Sequence, residues 1–283
     1  KTTEESLSGN ILKTEENYKY DNPAHAQLTS QNTINSKGEI LETKYYYPGD
    51  MLGEPLMTEM NNANRIATPI VTEQYKGGTL ISKNKTVYAK DATTNNLIQP
   101  KDLYAAKFPN SFPNISNVGN LEKKITYNQY DDKGNVLQYT PESGTPVSII
   151  WGYNKTLPVA KIENAVYSTI PAGTISSLQT LSNADNDNCL SADCTEQALR
   201  NALNTFRTSL PNAFITTYTY NPLVGVTSVT DLKGITSYYE YDAAGRLKFD
   251  KDQDLNVLQK YCYNYKDQLV NCADNTSTSV ILY

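Results

Sequence analysis

The sequence predicts a mainly β protein: a repeated antiparallel strand pair with one helical hairpin inserted. Three observations predict it. Tyrosines stand at alternate positions, Asp- or Asn-led turns close on glycine, and both recur about every 21–22 residues, as from Tyr220 to Tyr241 to Tyr263. Residues two apart in a strand share one face of the sheet, and tyrosine is a strong strand former in cross-strand pairs. A fixed period of this size marks a repeat architecture, in which each unit buries its apolar face only against its neighbours.

The fullest copy runs Tyr239-Glu240-Tyr241-Asp242-Ala243-Ala244-Gly245-Arg246-Leu247, followed by Asp252 and by Tyr261, Tyr263 and Tyr265. A second runs from Tyr218 and Tyr220 through Asn221 to Gly225, then from Asp231 to Gly234 and Tyr238. A third starts at Tyr127 and Tyr130, turns from Asp131 to Gly134 and closes on Trp151 and Tyr153; a looser fourth passes from Tyr18 and Tyr20 through Asn35 and Gly38 to Tyr45 and Tyr47. Asp or Asn is favoured at the first position of a type I turn and Gly at the last, so the unit reads strand, tight turn, strand. The Asp252 turn carries Leu255 where glycine is expected, which predicts another turn type or tolerated strain.

Along the chain, residues 1–30 are polar, with little strand pattern beyond Tyr18 and Tyr20. Residues 31–90 hold short strand candidates, with Gly77-Gly78 as a hairpin turn, and the methionines of residues 50–66 suggest one or two helical turns. Residues 91–120 read as loop, broken by Pro100, Pro109 and Pro113. The strongest helix is capped by Asp193, has Glu196 three residues on, carries Leu199, Leu203 and Phe206 at helical spacing and stops at Pro211. A weaker helix covers Ile175 to Leu181. The expected division is 1–120, a degenerate β-repeat region; 121–164, repeat strands; 165–211, the helical insert; and 212–283, repeat strands running into the start of a C-terminal extension.

Composition narrows the function. Tyrosine (22) far outnumbers phenylalanine (5), which suits a sheet wet or polar on one side. A net charge of −5 without a basic run argues against a phosphate-neutralising surface, so no nucleic acid is expected. No apolar run approaches the roughly 20 residues needed to cross a bilayer. The start at Lys1 and the poorly capped ends predict a piece of a longer precursor, with any signal peptide outside it. Cys189/Cys194 and Cys262/Cys272 are near in sequence and are candidate local disulfides in an exported protein, with the connectivity left open.

Candidate chemistry is sparse. The run Asn183 to Asn188 resembles part of a calcium loop, but it has no glycine and runs into Cys189, so a polar connection is the favoured reading and no metal is expected. His25 is the sole histidine and has no catalytic motif around it. Asp131/Asp132 and Asp252/Asp254 read as turn residues rather than glycosidase pairs. Trp151 and the tyrosine ladders could stack on sugars, although cross-strand packing is favoured. No catalytic residue and no cofactor are expected.

Tyr-x-Tyr-Asp-x-x-Gly-Arg-Leu at Tyr239 to Leu247 resembles the signature of the YD repeat, also called the Rhs repeat, with degraded copies over most of residues 120–265 and more weakly over 15–90. Ile150 to Pro158 through Tyr220 to Gly225, with the helical insert between them, is similar to Rhs-type proteins of Bacteroidetes. The resemblance implies a spiralling antiparallel sheet forming part of a hollow β-shell, as in polymorphic toxins and Tc-toxins, whose shell often encloses a C-terminal toxin domain. It implies a non-enzymatic scaffold segment of a secreted or cell-surface bacterial protein. The partners would be flanking repeats or a C-terminal effector of the same precursor, with export machinery or a surface partner besides. Teneurin-like adhesion proteins use the same repeats, so the alternative is a surface adhesion or glycan-binding module using exposed aromatic residues. Rhs-type toxins often cleave themselves with an aspartate-based motif; nothing after Leu247 matches it, and no catalytic residue is carried over.

Overall fold

The structure is a computed structural model, described over residues 2–7, 10–106, 121–263 and 278–282. Among these residues it is mainly β, with seventeen strands and three α-helices. The chain packs as two compact units, Lys1–Gly134 with Tyr139–Gly144, and Asn135–Gln138 with Thr145–Tyr283.

In the first unit, β1 (Thr2–Leu7), β2 (Asn10–Lys19), β3 (Ser30–Ile34), β4 (Ile40–Tyr46), β5 (Val71–Lys76), β6 (Thr79–Ala89), β7 (Gln99–Ala106) and β8 (Leu121–Tyr130) pair in chain order, all antiparallel. Three of these strands correct the sequence reading. The polar start of the chain forms the β1–β2 hairpin, in register from Thr2↔Glu15 to Leu7↔Asn10. Its ladder is made by backbone groups that every residue type carries, so it needs no apolar alternation. The region read as loop contains β7, whose second residue is Pro100. Pro100 lies next to a register shift between Val87 and Tyr88, one of the places where a strand tolerates proline. Gly77 and Gly78, both at positive φ, join β5 to β6 in a two-residue turn. α1 (Met57–Asn62) brings Met57 and Met60 onto Met51, Ile70 and Val71 as a small core.

β9 (Val136–Pro141) is divided between the units. The second unit continues with β10 (Val147–Gly152), β11 (Leu157–Glu163), β12 (Phe214–Asn221), β13 (Gly225–Thr230), β14 (Thr236–Tyr241), β15 (Leu247–Lys251) and β16 (Val257–Tyr263), each antiparallel to the next. β17 (Thr278–Leu282) pairs parallel with β16. Between β11 and β12 the chain leaves the sheet to form α2 (Ala172–Ala184) and α3 (Thr195–Ser209). Leu178 of α2 and Leu199, Leu203 and Phe206 of α3 close over Ile150, Val159, Ile162 and Ile215. Burial of each such side chain stabilises by about 2 kcal/mol.

The start of α3 differs from the sequence reading. Cys194, not Asp193, is the N-cap residue, and it makes no side-chain cap. The cap comes from Asp187, whose carboxylate accepts the backbone N–H groups of Thr195 (2.7 Å) and Glu196 (3.2 Å). A carboxylate there meets both the free amides and the positive end of the helix.

Five of the Asp- and Asn-led turns, all but that of Asn221, follow one geometry. In the fullest copy Gly245 N–H reaches Asp242 O (2.9 Å), Asp242 N–H reaches Arg246 O (2.8 Å), and the Asp242 carboxylate accepts the amides of Ala244 and Arg246. This is a type I turn followed by a residue in the left-handed region, and Gly245 takes it at φ 73°. Asn35, Asp131 and Asp231 lead turns in which Gly38 (φ 76°), Gly134 (φ 83°) and Gly234 (φ 84°) donate back to them. Leu255 keeps the same geometry at φ 65°, with its N–H on Asp252 O (3.0 Å), so the Asp252 turn holds its form and bears the strain. Leu255→Gly is expected to raise stability by about 0.5–1 kcal/mol, the left-handed penalty less the entropy of a glycine. A lower melting temperature in that variant would show that the leucine side chain contributes more than its backbone strain removes.

Candidate functional site

The repeat signature resolves into aromatic hooks. Tyr241 Oη, at the end of β14, donates to Val226 O of β13 (2.9 Å), and Tyr263 Oη of β16 donates to Leu247 O of β15 (2.8 Å). Tyr220 Oη reaches Pro158 O of β11 (2.9 Å), Tyr130 Oη reaches Pro100 O of β7 (2.6 Å), and Tyr47 Oη reaches Leu28 O (2.9 Å). Trp151 does the same from β10 with its indole N–H, on Val136 O (2.8 Å). Apart from Tyr47, whose acceptor lies just ahead of β3, each ring crosses from its own strand to the one before it and ties the two together. Burial pushes the Tyr220 hydroxyl up to about 12 and the Tyr130 and Tyr241 hydroxyls upward. All three therefore remain donors at neutral pH.

The backbone is shaped for these rings. Opposite Trp151, Tyr220 and Tyr241 the next strand carries one extra residue, namely Val159, Thr227 and Lys248. Such a bulge bends the strand and brings consecutive side chains toward one face. Val159 and Ala160 are accordingly both buried, as are Thr227 and Ser228. Gly225 plays a part that the spacing did not suggest. It is no turn glycine, since the left-handed residue there is Leu223 (φ 70°), and a Cβ on it would stand 2.3 Å from Tyr241 Oη. Gly225 makes room for the Tyr241 hook.

Asp242 and Arg246 of the signature form an ion pair, and the guanidinium lies 4.4 Å from the ring centroid of Tyr263 in the next copy. The Arg246 hydrogen bond, with backbone amides, holds the Asp242 carboxyl below its ordinary range. Leu247 supplies the carbonyl for Tyr263, while Tyr239, half-buried, has its hydroxyl pushed up by burial. The Asp231 carboxyl is lowered by the amides of Ile235 and Lys233.

Tyr153 ties the helical insert to the sheet. Its hydroxyl donates to Asp185 Oδ2 (2.6 Å) and accepts the backbone N–H of Tyr220 (2.9 Å). Burial, reinforced by the nearby Glu196, pushes the Asp185 carboxyl up to about 6. Glu196, fully buried, receives Arg200 and the hydroxyls of Thr219 and Thr227 (2.6 Å each) on one oxygen. The sequence pattern makes Glu196 a capping residue; its place on the inner face of α3 depends on strands far away in the chain. Beneath α3 lies a polar cavity of about 180 Å³, floored by threonine hydroxyls such as Thr217 and Thr230 and flanked by Arg200 and Arg207. Arg207 donates to Ile215 O, Asp231 O, Thr230 O and Thr217 Oγ1.

His25 is buried against Tyr47; its Nδ1 accepts the Gln27 N–H (3.0 Å), so Nε2 carries the proton and faces Asp50 (3.2 Å). Cys189 and Cys194 are bridged, with Cα atoms 5.8 Å apart. Cys262 is in a disulfide, and Cys272 lies outside the described residues.

The fold and these contacts define a class, an antiparallel β-repeat protein with a helical insert. No protein family and no curated protein matches the chain. Among solved structures it is similar to TcdB2-TccC3 without its hypervariable C-terminal region, at 11% identity over 82% of this chain and 12% of that one, with a TM-score of 0.33. A second form, TcdB2-TccC3-TEV, gives 12% identity over the same shares, with a TM-score of 0.32. A porin-like protein from Bacteroides uniformis ATCC 8492 gives 8% identity over 89% of this chain and 80% of that one, with a TM-score of 0.21. The chain spans only 12% of the length of the first two, and the likeness to them is distant and partial.

Proposed function

We propose that the chain is a non-catalytic wall segment of an exported bacterial repeat protein, one that encloses or presents a C-terminal effector. The observation that carries this reading is the hook. The signature side chains fasten one hairpin to the next, as Tyr220, Tyr241 and Tyr263 do. The groups that could have served chemistry are engaged in the same way. Both ring nitrogens of His25 face partners, and Asp231, Asp242 and Asp252 accept amides within their own turns. Flanking repeats and the effector are the partners this reading requires. No helix among the described residues is long and apolar enough to cross a membrane.

Large exposed aromatics are Tyr18, Tyr20 and Phe214 among the described residues, whereas the hook tyrosines are buried or half-buried. That distribution favours a wall over a glycan-binding face. The purified protein is expected to hydrolyse no peptide, ester, glycoside or phosphoester above blank. Turnover that survives repurification and disappears with His25→Ala would overturn the non-catalytic reading. Enclosure is tested by limited proteolysis of the native precursor. The effector should resist until the wall is loosened by a hook variant such as Tyr241→Ala, and equal cleavage with and without that variant would count against it.

A further inference from the structure

We infer that Asp185, Asp187 and Glu196 form a divalent-cation site, selective for calcium, at the root of the helical insert. Each offers a carboxylate oxygen within 4.8 Å of the others. Proximity alone would not make a site, because acidic groups often cluster on wet surfaces. Here two of the three are not on a wet surface: Asp185 is 6% exposed and Glu196 is 0% exposed. Each of these two also keeps one buried oxygen, Asp185 Oδ1 and Glu196 Oε2, with no hydrogen-bond partner. A buried carboxylate oxygen left unpaired is strongly unfavourable, and such groups are ordinarily matched by a donor or a metal.

Charge points the same way. Three carboxylates carry −3, and Arg200, paired with Glu196, returns +1, which leaves the charge a divalent cation would balance. The donors are hard oxygens, which suit calcium or magnesium; the sulfurs nearby are held as the Cys189–Cys194 disulfide and offer no thiolate to zinc. Calcium accepts irregular sets of six to eight oxygens, whereas magnesium demands near-octahedral geometry and gives up its waters reluctantly. Carboxylates already shared with Tyr153, Thr195 and Arg200 fit the more permissive ion.

The covalent frame supports the site as well. Asp187 stands just before Cys189, and Glu196 just after Cys194, so the disulfide closes the loop that separates the two ligands. Asp185 is anchored from the other side by Tyr153, which holds the Tyr220 amide. A bound ion would join the α2–α3 connection to β12 through groups already fixed in place.

The test uses the full chain with terbium and calcium chloride as probes. Terbium should emit on tyrosine excitation, since Tyr153 touches a ligand carboxylate, and calcium should displace it. Saturating calcium should raise the melting temperature by about 5 °C over protein in EDTA. Asp185→Asn and Glu196→Gln should each lower calcium affinity by at least tenfold, while Asp231→Asn, at a repeat turn, should leave it unchanged. Equal melting temperatures of the unmodified chain in calcium and EDTA would overturn the site, and so would an undiminished response in Asp185→Asn. A response to magnesium but not calcium would overturn the choice of ion. If Glu196→Gln fails to fold, Asp185→Asn and the unmodified chain still decide the matter.

Discussion

Gly152→Ala is expected to destabilise the second unit by about 3 kcal/mol, at the upper end of what overpacking a tight core costs. Gly152 ends β10 beneath α2, and a Cβ there would lie 2.3 Å from Ser182 Oγ, 2.8 Å from Ser182 Cβ and 2.7 Å from Val159 Cγ1. None of these neighbours is a free side-chain end. Ser182 and Val159 are fully buried, and Ser182 Oγ both donates to Gln179 O (2.9 Å) and accepts the Tyr153 amide (3.2 Å). The added methyl must therefore push α2 away from the strands, loosening Leu178 and the Tyr153 link together. Urea unfolding should show a lower midpoint with an unchanged slope. Gly173, with nothing within 4 Å of its own Cβ position, is the control, and alanine there should be neutral or mildly stabilising. A loss below about 1 kcal/mol at Gly152 would mean that α2 retreats without resistance.

Lys83→Ala is expected to cost about 3–5 kcal/mol, because it strands a buried carboxylate. Lys83 Nζ lies 3.4 Å from Glu73 Oε1, and both side chains are almost wholly removed from water. Glu73 also accepts Tyr75 Oη (2.7 Å) and Tyr46 Oη (3.2 Å). Burial alone pushes the Lys83 amine downward, and the attraction of Glu73 works against that. With the lysine gone, two phenols remain to solvate a full charge. Replacing both partners, as Lys83→Met with Glu73→Leu, removes that charge and should recover most of the loss. The decisive quantity is the difference between single and double variants. If the double variant is as unstable as Lys83→Ala, the pair contributes through packing rather than through its charges.

The parts of this fold that sequence discloses are the local ones. Asp242, Gly245 and their counterparts are legible because a turn is decided within four or five residues, and alternate tyrosines are legible because a strand has a period of two. Leu255 broke the pattern only in composition; its backbone follows the rule. The β1–β2 hairpin and β7 are not legible in the sequence, because strand pairing is a relation between distant segments, and neither polar residues nor a proline beside a register shift forbids it. The repeat includes Gly225 without disclosing its reason, which lies in the ring of a tyrosine sixteen residues on. The Asn183–Asn188 run stands out in the sequence, yet its weight depends on Glu196 turning inward toward β12 and β13. Nothing local marks Glu73 and Lys83 as buried, since a charged residue on a strand ordinarily faces water.

The direction of the hooks has a consequence for how such a chain comes into being. Tyr220, Tyr241 and Tyr263 each reach toward the strand that was made earlier. The latch on a hairpin thus arrives with the very next strand, and closing it needs no residue still to come. A polypeptide emerging N-terminus first, from a ribosome or through a narrow pore, can lock what has already emerged while the remainder is threaded, so backward slippage grows harder with every copy. The insert is the exception. Tyr220 latches onto Pro158 across 62 residues, so the helices must fold or loop out before the ratchet can take its next step.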